Sequence, residues 1–196
     1  KVFEDKSSIM DHILTYLDNE PPIKRLAIGT STQVPPTTQT FTENPDFVRI
    51  LNQVVEDHGH EDEDVTNQAR ALAGMGSHNL GSGAGFLSGG QSQRKRRGSS
   101  ARQGGAGGAG GQGGAGGGGI GGWVHLSDRR NPPDFGRIAF PEDILASVQV
   151  DGSGRVVGKA QPSGTYRILT NQGILGLSPF LRKKLVERLQ QEAAKE

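Results

Sequence analysis

The residues best suited to chemistry lie between Gly122 and Asp143, where His125, Asp128, Asp134, Glu142 and Asp143 place one imidazole among four carboxylates. A histidine beside carboxylates is the raw material of general acid–base catalysis. Their spacing matches no nucleophile elbow, phosphate loop or zinc-protease pattern. An enzyme centred on His125, Asp128 and Asp134 is therefore an alternative reading, ranked behind a loop whose aromatics pack on a sheet while its charges pair or meet water. The same stretch holds Trp123, Arg129, Arg130, Phe135 and Arg137. Aromatic and arginine side chains are enriched at interface hot spots, and arginines can grip carboxylates bidentately. A face carrying Trp123, Phe135 and Arg137 is expected to meet a protein partner, which ranks above catalysis for this loop.

Three other clusters have weaker readings. His58 and His60 sit in an acidic run, Glu56 to Asp64, and imidazoles with carboxylates suit zinc, nickel or copper. The spacing is that of no established site, so a solvated turn between two helices is expected and no metal is assigned. Arg94, Lys95, Arg96 and Arg97 read as a localisation signal or a phosphate contact. The glycine-rich sequence beside them lacks the aromatics that would stack on bases, so a nucleic-acid accessory role is a second alternative and nucleic acid is not the expected partner. Ser99 follows two arginines in the pattern favoured by basophilic kinases, and a phosphate there would mask the basic run. Matches to Gly-x-Gly-x-x-Gly follow from a composition of 31 glycines, none lies between a predicted strand and helix, and no cofactor is implied.

The elements that would position these residues can be read in order. A helix is expected over Ser8 to Asn19, capped by Ser8 and stopped by Pro21-Pro22. Residues 23 to 42 show no sustained period and read as an extended linker. A second helix begins at the N-cap Asn44, with Pro45 first and Phe47, Ile50, Leu51, Val54 and Val55 on one stripe. A third, short helix spans Asp64 to Ala73. Short helices with few large side chains are marginal alone, so the stripe of Phe47, Ile50, Leu51 and Val54 is expected to dock on a partner.

Residues 74 to 122 are of low complexity and end in a run, Gly104 to Gly122, that cannot offset the entropy of ordering. Beyond them, Trp123 to Leu126 reads as a strand, and Ile144 to Val150 alternates apolar and polar residues as a half-buried strand does. Asp151 to Gly154 turns into a further strand. Asn171-Gln172-Gly173 centres a second hairpin, with Gly173 at the left-handed position. Ser178 caps a final helix with Pro179 first.

The fold class expected is α+β: a small C-terminal antiparallel sheet of four to five strands closed by a C-terminal helix, preceded by a sparse helical region and a disordered Gly-rich linker. The division is a helical, partly disordered docking region at 1–73, the linker at 74–122 and a small domain at 123–196. Composition agrees, because Leu, Ile, Val and Phe make up about 28% of residues 123–196 but about 19% of residues 1–122, near the level below which chains stay disordered. A formal charge of +1 lacks the basic signature of a dedicated nucleic-acid binder. The chain has no cysteine, which excludes disulfides and thiolate chemistry and suits a reducing, intracellular home in cytoplasm or nucleus. No apolar run reaches the roughly 18 residues of a membrane span. The function expected is non-enzymatic: an intracellular interaction or assembly-accessory protein that contacts partners through its helical region and its C-terminal domain.

Overall fold

A computed structural model describes residues 1–5, 11–78, 121–134 and 137–195, with the backbone alone at 74–78. The fold mixes helices with antiparallel sheets. Strands β1 (Val2–Glu4), β2 (His12–Leu14), β3 (Gly29–Ser31) and β4 (Phe41–Glu43) form a four-stranded meander in sequence order. Its register runs Phe3↔Ile13, Ile13↔Thr30 and Thr30↔Thr42. This corrects the sequence reading in two places. His12–Leu14 is a strand where a helix over Ser8 to Asn19 was expected, and the supposed linker supplies β3 and β4. Ile13 and Leu14 are both buried, so this short segment gains more from pairing across the meander than a single amphipathic helix would gain alone.

Helix α1 (Pro45–His58) starts where the sequence places it. The Asn44 side chain accepts from the Asp46 amide at 3.0 Å and donates to the Ala27 carbonyl at 2.7 Å. One residue thus caps the helix and ties it to the 3-10 turn at Lys24–Leu26. Helix α2 (Glu63–His78) runs past Ala73, where the sequence reading ends it. Then come β5 (Gly122–Ser127), β6 (Ile144–Val150), β7 (Val156–Pro162), the two-residue strands β8 (Leu169–Thr170) and β9 (Gly173–Ile174), and α3 (Pro179–Ala193). The C-terminal sheet has three strands in the order β5-β6-β7, and β8 and β9 pair apart from it. Most of the supposed linker, 79–120, lies outside the described residues.

The hydrophobic core draws on both sides of that segment. Phe47, Ile50, Leu51, Val54 and Val55 from α1 share one cluster with Val124, Leu126, Ala146 and Val148 from the sheet and Leu181, Leu185 and Leu189 from α3. The stripe left for a partner is therefore covered by the chain itself: Phe47 is fully buried, and Ile50, Leu51 and Val54 are nearly so. Helix α1 is the one that lies on β6 and β7, and α3 packs principally on α1. The helix that lies on the sheet is thus α1 and not the last one, because the α1 stripe is wide enough to face the sheet on one side and α3 on the other.

Two glycines show how closely the halves approach. A Cβ on Gly59, just after α1, would lie 3.0 Å from the Ala160 Cβ on β7. Gly154, in the β6–β7 turn, has φ +77, and a Cβ there would meet the Ala69 carbonyl of α2 at 2.6 Å. A side chain at Gly154 is excluded by conformation and by space. The capping residues also join across the chain. Asp62 caps α2 through the Asp64 amide at 2.9 Å and accepts the Ser178 hydroxyl at 2.5 Å, while Ser178 caps α3 through the Leu181 amide.

Because α1 and the C-terminal sheet share one core, Phe47→Ala should destabilise the whole chain by about 3–5 kcal/mol. Trp123, the only tryptophan, sits on β5 and reports the sheet. Denaturant unfolding followed by its fluorescence should show the midpoint fall with the α1 substitution. An unmoved midpoint would mean that the two halves unfold independently.

Candidate functional site

The hairpin between β5 and β6 carries a buried polar cluster built on Arg130. Its side chain and those of Asp128 and Asp143 are 4%, 0% and 1% exposed. The guanidinium Nε donates to Asp143 Oδ1 at 2.8 Å. One terminal nitrogen donates to the carbonyls of Ile168 at 2.8 Å and Gly173 at 3.4 Å. The other donates to the carbonyls of Glu142 at 3.0 Å and Arg167 at 2.8 Å. Arginine offers five N–H donors in a fixed fork, and every one of them is used.

The two carboxylates are equally occupied. Asp128 Oδ1 accepts from the amides of Arg130 and Gly176, each at 2.8 Å, and its Oδ2 accepts the Tyr166 hydroxyl at 2.7 Å. Asp143 Oδ2 accepts from the Asn131 side-chain amide at 3.1 Å. The Tyr166 ring also lies under the guanidinium, 5.4 Å from centroid to carbon. Burial, then the charge of Asp128, pushes the Tyr166 hydroxyl far above the ordinary tyrosine range, so it stays protonated and donates. A catalytic carboxylate must be within reach of substrate, and Asp128 is fully buried with both oxygens accepting from protein donors. The cluster is a structural clamp that gathers residues 128–131, 142–143, 166–168 and 173–176.

The remaining residues singled out by sequence are dispersed around this clamp. Arg129 forks onto Asp64 at the start of α2, with Nε–Oδ2 2.8 Å and Nη2–Oδ1 2.9 Å. Arg129 and Arg130 thus both tie together the chain's own segments. Arg137 and Asp134 are exposed and 4.0 Å apart. Phe135 lies outside the described residues, as do Arg94, Lys95, Arg96, Arg97 and Ser99. Trp123 is 43% exposed and pairs with Gln149, whereas the loop leaves β5 at Ser127, which pairs with Ile144. Four residues of strand, roughly 13 Å, separate Trp123 from the loop base.

His125 faces away from the clamp on the outer side of β5, and its Nδ1 is 2.9 Å from the Ser147 hydroxyl directly across on β6. Burial lowers its pKa. This is a histidine–serine pair, and Asp128 is tied elsewhere and does not orient the ring. His58 packs edge-on against Phe180 on α3, with centroids 6.4 Å apart. Among the described residues no three histidine or acidic side chains are grouped to hold a metal ion, and no helix is long and apolar enough to cross a membrane.

What remains open on the hairpin is its loop. Ile138 is 47% and Phe140 65% exposed, while Ala139 between them is buried. Phe140 precedes the 3-10 turn Pro141–Asp143, whose last residue is held by Arg130. Sequence reasoning passed over Ile138, Phe140, Tyr166, Asn131 and Ser147. Alternation exposes a signal for Ser147, which falls on the polar face of β6, but nothing local marks which of Arg129, Arg130 and Arg137 is buried. No family model, curated protein or solved structure matches the chain.

Two outcomes follow from this geometry. Arg130→Met should destabilise the fold by about 3–5 kcal/mol, because it strands two buried carboxylates. Arg130→Lys should recover only part of that loss, since three donors on a point charge cannot replace a five-donor fork. Denaturant titration of both variants checks the order, and equal stability of wild type and Arg130→Met would remove the clamp. For His125, the folded chain resists a proton that the unfolded chain binds once pH falls below the ordinary histidine value of about 6.5. Stability should therefore decline as pH drops from that value to the lowered one and then level off. Unfolding midpoints measured across this range should show a smaller decline in His125→Gln than in wild type.

Proposed function

We propose that the protein is a non-enzymatic interaction or assembly-accessory protein that binds a protein partner through the loop carrying Arg137, Ile138 and Phe140. The observation that carries this reading is the exposure of Phe140 and Ile138 on a loop whose base is fixed by Arg130 and Asp143. An apolar pair of this size left in water beside an arginine has the composition of an interface hot spot. Because the base of the loop is already ordered, less conformational entropy is lost when a partner covers it.

Two further features support the same reading. Of the residues of the rival enzyme reading, His125, Asp128 and Asp134, the buried Asp128 accepts hydrogen bonds from the chain itself and does not orient His125, whose ring nitrogen lies against Ser147. The helical stripe of α1 is withdrawn from the contact surface because it is buried. Arg94, Lys95, Arg96 and Arg97 keep their proposed part in localisation, with Ser99 as the residue whose phosphorylation would mask them. An intracellular setting belongs to the same proposal.

Replacement of Ile138 and Phe140 together by Glu should leave thermal stability close to wild type, since exposed positions usually move it by about 0.5 kcal/mol or less. The same variant should lose the proteins that co-purify with the wild-type chain in quantitative affinity mass spectrometry. Identical co-purifying sets from a folded variant would reject the loop as the contact.

A further inference from the structure

A cleft of about 550 Å³ lies between β4 and the segment that leads into and out of β8. One wall carries Phe41, Thr42 and Glu43, and the other carries Glu142, Arg167 and Asn171. Its size falls within the range of small-molecule sites. Its walls are fixed by the clamp: the same Arg130 nitrogen holds the carbonyls of Glu142 and Arg167, and the Arg167 amide donates to the Glu142 carbonyl at 3.1 Å. The opposite wall is tied in by Glu43 Oε1, which accepts from the Ile168 amide at 2.9 Å.

The side chains on these rigid backbones are unspent. Arg167 and Glu142 issue from hydrogen-bonded neighbours, line one cleft and are both exposed, yet they form no ion pair with each other. Among the described residues neither side chain has a hydrogen-bond or charge partner. An exposed ion pair gains little from closing on itself, so both charges stay open to a ligand. Around them stand hydroxyls of Thr38 and Thr42, the Asn171 amide and the half-buried Phe41 ring, which supply neutral hydrogen bonds and an apolar wall.

From this arrangement we infer that the cleft binds a small zwitterion of the amino-acid or dipeptide class. Arg167 takes the carboxylate, for which its fork is suited, Glu142 takes the ammonium group, and Phe41 with Leu169 meets the aliphatic part. A ligand with one charge leaves the opposite protein charge uncompensated beside it. A zwitterion satisfies both, so recognition depends on the two groups together.

Titration of the whole chain followed by amide NMR tests this with leucine and alanyl-leucine as probes, against N-acetyl-leucine, which lacks the ammonium, and leucine amide, which lacks the carboxylate. Saturable shifts are expected at Thr42, Thr170 and Asn171 for at least one of the zwitterions, with about tenfold weaker binding for each blocked form, the value of one charge-assisted hydrogen bond. Arg167→Gln should erase the preference over leucine amide, and Glu142→Gln the preference over N-acetyl-leucine. Both changes spare the backbone groups held by Arg130, and unshifted amides elsewhere will show that the fold is kept. Absence of saturation at millimolar concentrations, or equal binding of zwitterionic and blocked probes, would overturn the inference.

Discussion

The C-terminal half depends on one buried guanidinium. Residues 163 to 177 contain only two strands of two residues each, so most of their backbone groups have no ladder to join. A carbonyl withdrawn from water needs a donor, and here four exposed or part-buried carbonyls, at Glu142, Arg167, Ile168 and Gly173, converge on Arg130. A single side chain replaces the hydrogen bonds that a further strand would have supplied. Its charge is balanced by Asp143 and Asp128, and the excess negative charge is met by two backbone amides, Asn131 and Tyr166. Buried ion pairs seldom add stability over apolar packing. This one is retained because apolar side chains cannot donate to carbonyls.

The second constraint is the position of α1. With Phe47 to Val55 between the C-terminal sheet and α3, neither half can bury its apolar surface without the other. The N-terminal meander extends this dependence, since Glu43 at the end of β4 holds the Ile168 amide next to a carbonyl that Arg130 already holds. Core packing and the polar clamp therefore meet at residues 166 to 168, where Ile168 is itself buried in the common cluster.

What the sequence revealed follows from the range of the interactions involved. Helix α1 was legible down to its first residue because its signals are local: a capping Asn44, Pro45 and five apolar residues at helical spacing. The β6–β7 hairpin was legible for the same reason, through alternation and the Asp151–Gly154 turn. The meander was missed because three-residue strands carry too few residues to show a period of two. The clamp was missed because all but one of its hydrogen bonds join residues between 12 and 48 apart in the chain. Arg130 and Arg129 are adjacent and chemically identical, yet one is buried and the other reaches Asp64 across the surface. Only the tertiary path of residues 142 to 176 makes the distinction.

The same clamp explains why the exposed features of this half are organised and not merely left over. The Ile138–Phe140 loop and the Arg167–Glu142 cleft both adjoin backbone that Arg130 holds, so both are displayed from ordered bases. Asp128 and Asp143 are fully buried, and their oxygens accept from the chain's own donors. Asp128 and Asp143 thus fix the backbone from which the neighbouring exposed side chains issue. A fold that spends its buried charges on positioning is suited to recognition, and its chemistry of interest lies in the unpaired groups at the clamp's edge.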